Sequence, residues 1–155
     1  MSLVGQLAPS FELKNQRDET ISSNDFNGQP LVIFFYPKDN TSGCTKESDA
    51  FNASLPEFKA LGVHVLGVSR DSVKSHQKFA EKLDLQYNLL ADTEELLCQA
   101  YQVMVQKSMY GRQYMGIERS TFLIDGTGQV VTEWRKVKVD GHVAAVLEAA
   151  KAKIT

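Results

Sequence analysis

Cysteine is scarce in this chain: Cys44 and Cys98 are the only two in 155 residues. Two are too few for a disulfide scaffold. A chain this long hides roughly 70% of its unfolded surface and does not need one. Each cysteine therefore has to be read as packing or as reactivity. No C-x-x-C or H-x-x-x-H spacing links them to His64, His76 or His142, so no zinc site is expected. Long apolar runs are missing too. The longest, Leu31 to Tyr36, is strand-sized, far short of the ~20 residues that span a bilayer. The N-terminus has no charged stretch followed by a long apolar one. No secretory signal is expected, and the cytoplasm is the default compartment. Nor is there an excess of one charge: 17 basic and 19 acidic residues are mixed along the chain, for a net charge of −2. This pattern gives no support to a nucleic-acid or anionic-membrane partner. Repeats, linkers and low-complexity segments are absent, which argues for one domain over 1–155.

What is present alternates between strand and helix. Phe11-Glu12-Leu13 and Thr20-Ile21-Ser22 read as a short N-terminal hairpin. Leu31 to Tyr36 is continuously apolar and rich in branched and aromatic residues, as a strand buried on both faces should be. From Cys44 to about Ser54 the pattern is helical, and Pro56 is placed to start a further helical piece that stops at Gly62. Val63 to Val68 and Tyr87 to Ala91 are two more strands. Helices follow them, with Asp71 or Ser72 and Asp92 or Thr93 as caps. Thr121 to Ile124 and Val130 to Trp134 flank Asp-Gly-Thr-Gly, a hairpin signal, and an Ala-rich helix runs from about His142 to Lys151. Strands alternating with helices predict an α/β fold with a central, partly parallel sheet flanked by helices on both faces. The late hairpin adds antiparallel strands, so the sheet is mixed.

The informative stretch is Pro37 to Glu47, between the buried strand and the helix it opens. The carboxyl end of a strand is where α/β folds build sites. A helix start adds free N–H groups and the positive end of the helix dipole. A thiol there is biased toward thiolate, the nucleophilic form. Thr41 stands three residues before Cys44, within reach of the sulfur or a bound oxygen. Gly43 allows close backbone approach, and Pro37 stiffens the loop. This arrangement resembles the P-x-x-x-T-x-x-C motif of the peroxiredoxins. The resemblance extends over Gly5 to Phe11, Leu66 to Asp71 and Ile117 to Asp125, and points to the bacterioferritin comigratory protein/peroxiredoxin Q subfamily.

The resemblance implies a thioredoxin-like fold with an N-terminal extension, no cofactor, and a tendency to be monomeric. It implies that Cys44 attacks a hydroperoxide and becomes a sulfenic acid. Arg119 would hold the thiolate and polarise the peroxide, Thr41 and Pro37 would complete the pocket, and Glu47 would act as an orienting partner. Thioredoxin, glutaredoxin or a small thiol would be the reductant.

The chain departs from the family in its second cysteine. Relatives carry a resolving cysteine five residues after the first, here Asp49, or in the next helix, near Ala80; neither is cysteine. Cys98 reads either as a small apolar helix residue or as a resolving thiol. A disulfide needs Cα atoms within about 7 Å, so the second role would require local unfolding around Cys44. Two functions are carried forward. One is a thiol-dependent peroxidase. The other is a non-enzymatic peroxide-sensing module signalling through Cys44. The three histidines read as structural, and Arg135 to Lys138 as a solvated strand end.

Overall fold

The computed structural model describes residues 2–154; Met1 and Thr155, the ends of the expected 1–155 domain, lie outside the described residues. Strands β1 (Glu12–Lys14) and β2 (Thr20–Ser22) form the N-terminal hairpin, and a 3-10 turn follows over Ser23–Phe26. Then come β3 (Leu31–Phe35), α1 (Ser42–Ala60), β4 (His64–Ser69), α2 (Val73–Leu83), β5 (Asn88–Ala91) and α3 (Leu96–Ala100). The chain continues through β6 (Met104–Met109), β7 (Arg112–Ile117), β8 (Ser120–Ile124), β9 (Val130–Trp134) and α4 (His142–Lys153).

Seven strands make one sheet in the order β2-β1-β5-β4-β3-β8-β9. β3, β4 and β5 run parallel; β8 and β9 continue the sheet antiparallel from β3. The expected mixed sheet is therefore present, and β3 lies inside it between β4 and β8. All five residues of β3 are buried, and its alternation divides the core in two. Val32, Phe34 and Tyr36 face a layer built from Phe51, Leu55 and Phe58 of α1, Phe79 of α2, and Val146 and Ala150 of α4. Leu31, Ile33 and Phe35 face Leu97 and Cys98 of α3, Tyr101 and Phe11. Phe34 and Phe51 stack with ring centroids 4.4 Å apart. Cutting Phe34 to alanine would cost about 3–5 kcal/mol, because both rings lose a close-packed partner.

Three sequence expectations change. Pro56 does not begin a new helix; α1 runs through it from Ser42 to Ala60. Phe51, Leu55 and Phe58 share one face at helical spacing and are buried, while Pro56 points to solvent. Packing on both sides of the proline outweighs the one backbone hydrogen bond it removes. The β6–β7 hairpin was not expected. It pairs only with itself, and most of its residues are exposed or half-buried, so no alternating apolar face marks it. Its turn, Tyr110-Gly111, has positive φ at both residues (52° and 78°), the geometry of a two-residue hairpin turn. Arg135, finally, is half-buried, while Lys136 and Lys138 of the same stretch are exposed as expected. The Arg135 guanidinium lies over the Phe122 ring and donates to the carbonyls of Tyr101 and Gln102.

Candidate active site

Cys44 lies in the first turn of α1, which leaves the carboxyl end of β3 through the loop 37–41. The first backbone bond of the helix runs from the Thr45 N–H to the Thr41 carbonyl (2.9 Å). The amides of Ser42, Gly43 and Cys44 precede it and are free donors at the positive end of a 19-residue helix. The Cys44 side chain is fully buried. Its one hydrogen-bond donor from a side chain is Arg119, whose Nη2 is 3.4 Å from Sγ.

Arg119 occupies the two-residue link between β7 and β8, which places it across from α1. Its other terminal nitrogen, Nη1, donates to Glu47 Oε1 at 2.8 Å. Glu47 is one helical turn beyond Cys44 and fully buried. The fork of the guanidinium thus bridges the sulfur and the carboxylate. Burial works against the Arg119 charge, yet Glu47 and the Cys44 sulfur together push its pKa upward. For Glu47 burial dominates: it pushes the carboxyl up to about 7, against the pull of Arg119. Gly43 earns its place by proximity. A Cβ there would sit 3.1 Å from Arg119 Nη2.

Thr41 is the N-cap residue, but its hydroxyl makes no cap bond; Oγ1 donates instead to the Lys38 carbonyl at 2.9 Å. That fixes the hydroxyl proton away from the sulfur and leaves the oxygen lone pairs able to accept a hydrogen bond. Pro37 is half-buried at the exit from β3. The structure therefore brings Cys44, Glu47, Gly43 and Arg119 together, with Thr41 and Pro37 on the adjoining loop.

Cys98 is elsewhere. It packs in the core layer on the other face of the sheet, with its backbone N–H bonded to Asp92 Oδ2 at 2.7 Å. Burial first, and then Asp92, push its thiol far above the ordinary range. Asp92 does the capping expected of it from outside the helix, accepting from the Leu97 and Cys98 amides.

Sequence reasoning did not reach two neighbours. His142, read as structural, stands 4.0 Å from Glu47 Oε2 and is 2.7 Å from Thr121 Oγ1 through the same Nε2. Burial, with help from Arg119, pushes its pKa down to about 4. Lys107 of β6 lays its stem along Gly116, so that a Cβ there would meet Cδ at 3.0 Å. Its pKa is lowered by burial and then by Arg119. No sequence signal pointed to Lys107, because the hairpin that carries it has no alternating apolar face.

Fold and site together describe a thioredoxin-fold peroxiredoxin, a peroxidase of the oxidoreductase class. The chain belongs to the AhpC/TSA family, whose model matches residues 4–133. Its relatives are Bcp/peroxiredoxin Q proteins. Peroxiredoxin Bcp of Xanthomonas campestris is 58% identical over 125 residues, covering 81% of this chain and 78% of that protein. Peroxiredoxin Bcp of Bacillus subtilis is 48% identical, covering 96% and 94%. A solved structure of Xanthomonas campestris peroxiredoxin Q superposes with a TM-score of 0.89 at 51% identity, covering 94% of this chain and 92% of that one. A structural study of the bacterioferritin comigratory protein of the same organism concerns its alkyl peroxide reduction activity; that structure matches at TM-score 0.89 and 50% identity, again covering 94% and 92%. Among the described residues, no helix is long and apolar enough to cross a membrane.

Proposed function

We propose that this chain reduces hydrogen peroxide and organic hydroperoxides at Cys44, and that an outside thiol restores the cysteine. The observation that carries the reading is the 3.4 Å approach of Arg119 Nη2 to Cys44 Sγ, beside the free amides of the α1 first turn. A cation and oriented N–H groups beside the sulfur meet the charge that grows on the peroxide oxygen. The alkyl peroxide reduction described for the Xanthomonas campestris relative supports the organic substrates.

The steps balance as follows. The thiolate attacks the terminal oxygen of R–O–OH, an S–O bond forms and the O–O bond breaks. The RO⁻ fragment leaves, stabilised by Arg119 and the amides, and takes up a proton to become ROH. Cys44 is left as a sulfenic acid, oxidised by two electrons. An external thiol attacks that sulfur and expels water, giving a mixed disulfide. A second thiol then releases Cys44 as thiolate. Thioredoxin- or glutaredoxin-type dithiols supply both thiols. The position of Cys98 across the sheet supports an external partner for the first of these attacks.

The test is the intact mass after one equivalent of hydrogen peroxide, for wild type and Cys44→Ser, with the rate followed alongside. Gain of one oxygen in wild type alone supports the proposal, and repeated turnover with a thiol donor distinguishes an enzyme from a sensor that oxidises once. A wild-type rate no faster than that of free cysteine would overturn it.

A further inference from the structure

The peroxide chemistry leaves unused a buried polar cluster on the loop that leads into the catalytic helix. Asp39 lies in this loop between Pro37 and Thr41, and only 6% of its surface is exposed. Its carboxylate accepts from Tyr36 Oη (2.6 Å), Ser75 Oγ (2.8 Å) and His76 Nδ1 (2.7 Å). Its backbone N–H donates to Asp71 Oδ2 at 2.8 Å. The next residue, Asn40, has positive φ and accepts from Lys82 of α2 at 2.8 Å. The loop is therefore fastened to α2 at two successive residues, and through Asp71 to the start of that helix.

His76, fully buried, shows what kind of fastening this is. Its Nε2 is 3.0 Å from the Leu90 carbonyl, which can only accept, so Nε2 carries a proton. Its Nδ1 faces the Asp39 carboxyl, which already accepts from two hydroxyls. A second proton must lie between Nδ1 and Oδ2. The contact is a short hydrogen bond held in a dry interior, where such bonds are stronger than in water. The ligand atoms of Asp39, Asp71 and His76 lie within 4.8 Å of one another, but the carboxylate oxygens facing the cluster already accept protein donors. The cluster is closed upon itself.

Cys44 is just as closed, with no exposed surface. A small peroxide can enter such a site, but a thiol on a protein cannot reach a buried sulfur unless the loop and first helical turn move aside. We propose that the Asp39–His76 pair is the latch on that movement. Closed, it positions Thr41 and Pro37 beside Cys44 for attack on peroxide. Open, it admits the reductant. Asp39 and His76 are positioning residues, and the inference rests on the external-thiol reading above.

A latch affects the two half-reactions differently, whereas a general structural defect would slow both. The experiment follows each half-reaction in a single turnover by quenched mass spectrometry. The first is oxygen gain with hydrogen peroxide; the second is loss of that oxygen on adding the small dithiol dithiothreitol. In His76→Leu and Asp39→Asn, loss of this buried hydrogen bond makes opening, and with it reduction by the dithiol, about tenfold faster. Peroxide oxidation becomes slower, not faster, and amides 40–46 exchange hydrogen sooner. Ser75→Ala removes one of the two hydroxyl donors to Asp39 and shifts the same rates in the same directions by a smaller factor; it tests the latch should the stronger variants fail to fold. Folded variants with unchanged or slower reduction by the dithiol would overturn the latch while leaving the peroxidase intact. A wild type that never gains oxygen would instead remove the reading on which the latch rests.

Discussion

Cys44 and Cys98 face opposite sides of the same sheet, each buried in its own core layer. Packed layers stand about 10 Å from a sheet, and a disulfide needs Cα atoms within about 7 Å. Burial also holds the Cys98 thiol protonated at neutral pH. The expected outcome is that Cys98→Ala oxidises with hydrogen peroxide and turns over with an external dithiol within about twofold of wild type, because only the Cys44 thiolate reacts. Thiol counting and intact mass check this. An oxidised wild type lighter by two hydrogens would show the two cysteines joined.

Arg119 uses two nitrogens on two partners, Sγ of Cys44 and Oε1 of Glu47. A lysine has the charge but not the fork. Arg119→Lys should therefore lower the second-order rate of Cys44 oxidation by about 100-fold, roughly the effect of removing one aligned donor from a charged transition state. Stopped-flow oxidation with hydrogen peroxide reads it. A loss under about threefold would mean that charge alone suffices.

Gly43→Ala tests the same geometry from the other side. The new methyl would lie 3.1 Å from Arg119 Nη2, so the guanidinium must move by a few tenths of an ångström. The helix itself gains from alanine. The expected variant is at least as stable as wild type in thermal melts but slower toward peroxide by about tenfold. A slower and also less stable protein would point to a backbone effect.

The pH dependence of stability separates Glu47 from His142. Burial raises the Glu47 carboxyl to about 7 in the folded chain, above its unfolded value near 4.3. The stability it contributes is full below pH ~4.3 and is lost as pH rises through 7, on the order of 3 kcal/mol. His142 is pushed down to about 4. Its contribution is full above the unfolded value near 6.5 and is lost as pH falls through 4. The two trends oppose each other between pH 4 and 7. Melting temperatures of wild type and Glu47→Gln across that range should diverge. The glutamine variant loses stability steadily on acidification, whereas wild type holds nearly level. Parallel curves would show that Glu47 is an ordinary carboxylate.

Much of this was legible in the chain itself. The apolar run Leu31 to Tyr36 identified an interior strand, because a strand buried on both faces is mostly apolar. Pro37, Thr41 and Cys44 form a local pattern, so they could be read together. Arg119 lies 75 residues away from Cys44, and only resemblance joined the two. The β6–β7 hairpin escaped because it buries no continuous face. The Asp39–His76 contact escaped because a lone aspartate and a lone histidine 37 residues apart carry no spacing signal.

Among the described residues, Glu47 Oε2 has no hydrogen-bond partner, although the oxygen is buried. Holding half an ion pair in that condition is costly, and apolar residues of similar size would often do better for the fold. A chain shaped for heat resistance alone would gain by replacing Glu47 and Arg119 with well-packed apolar residues. The pair thus exchanges some fold stability for an arginine held against the sulfur.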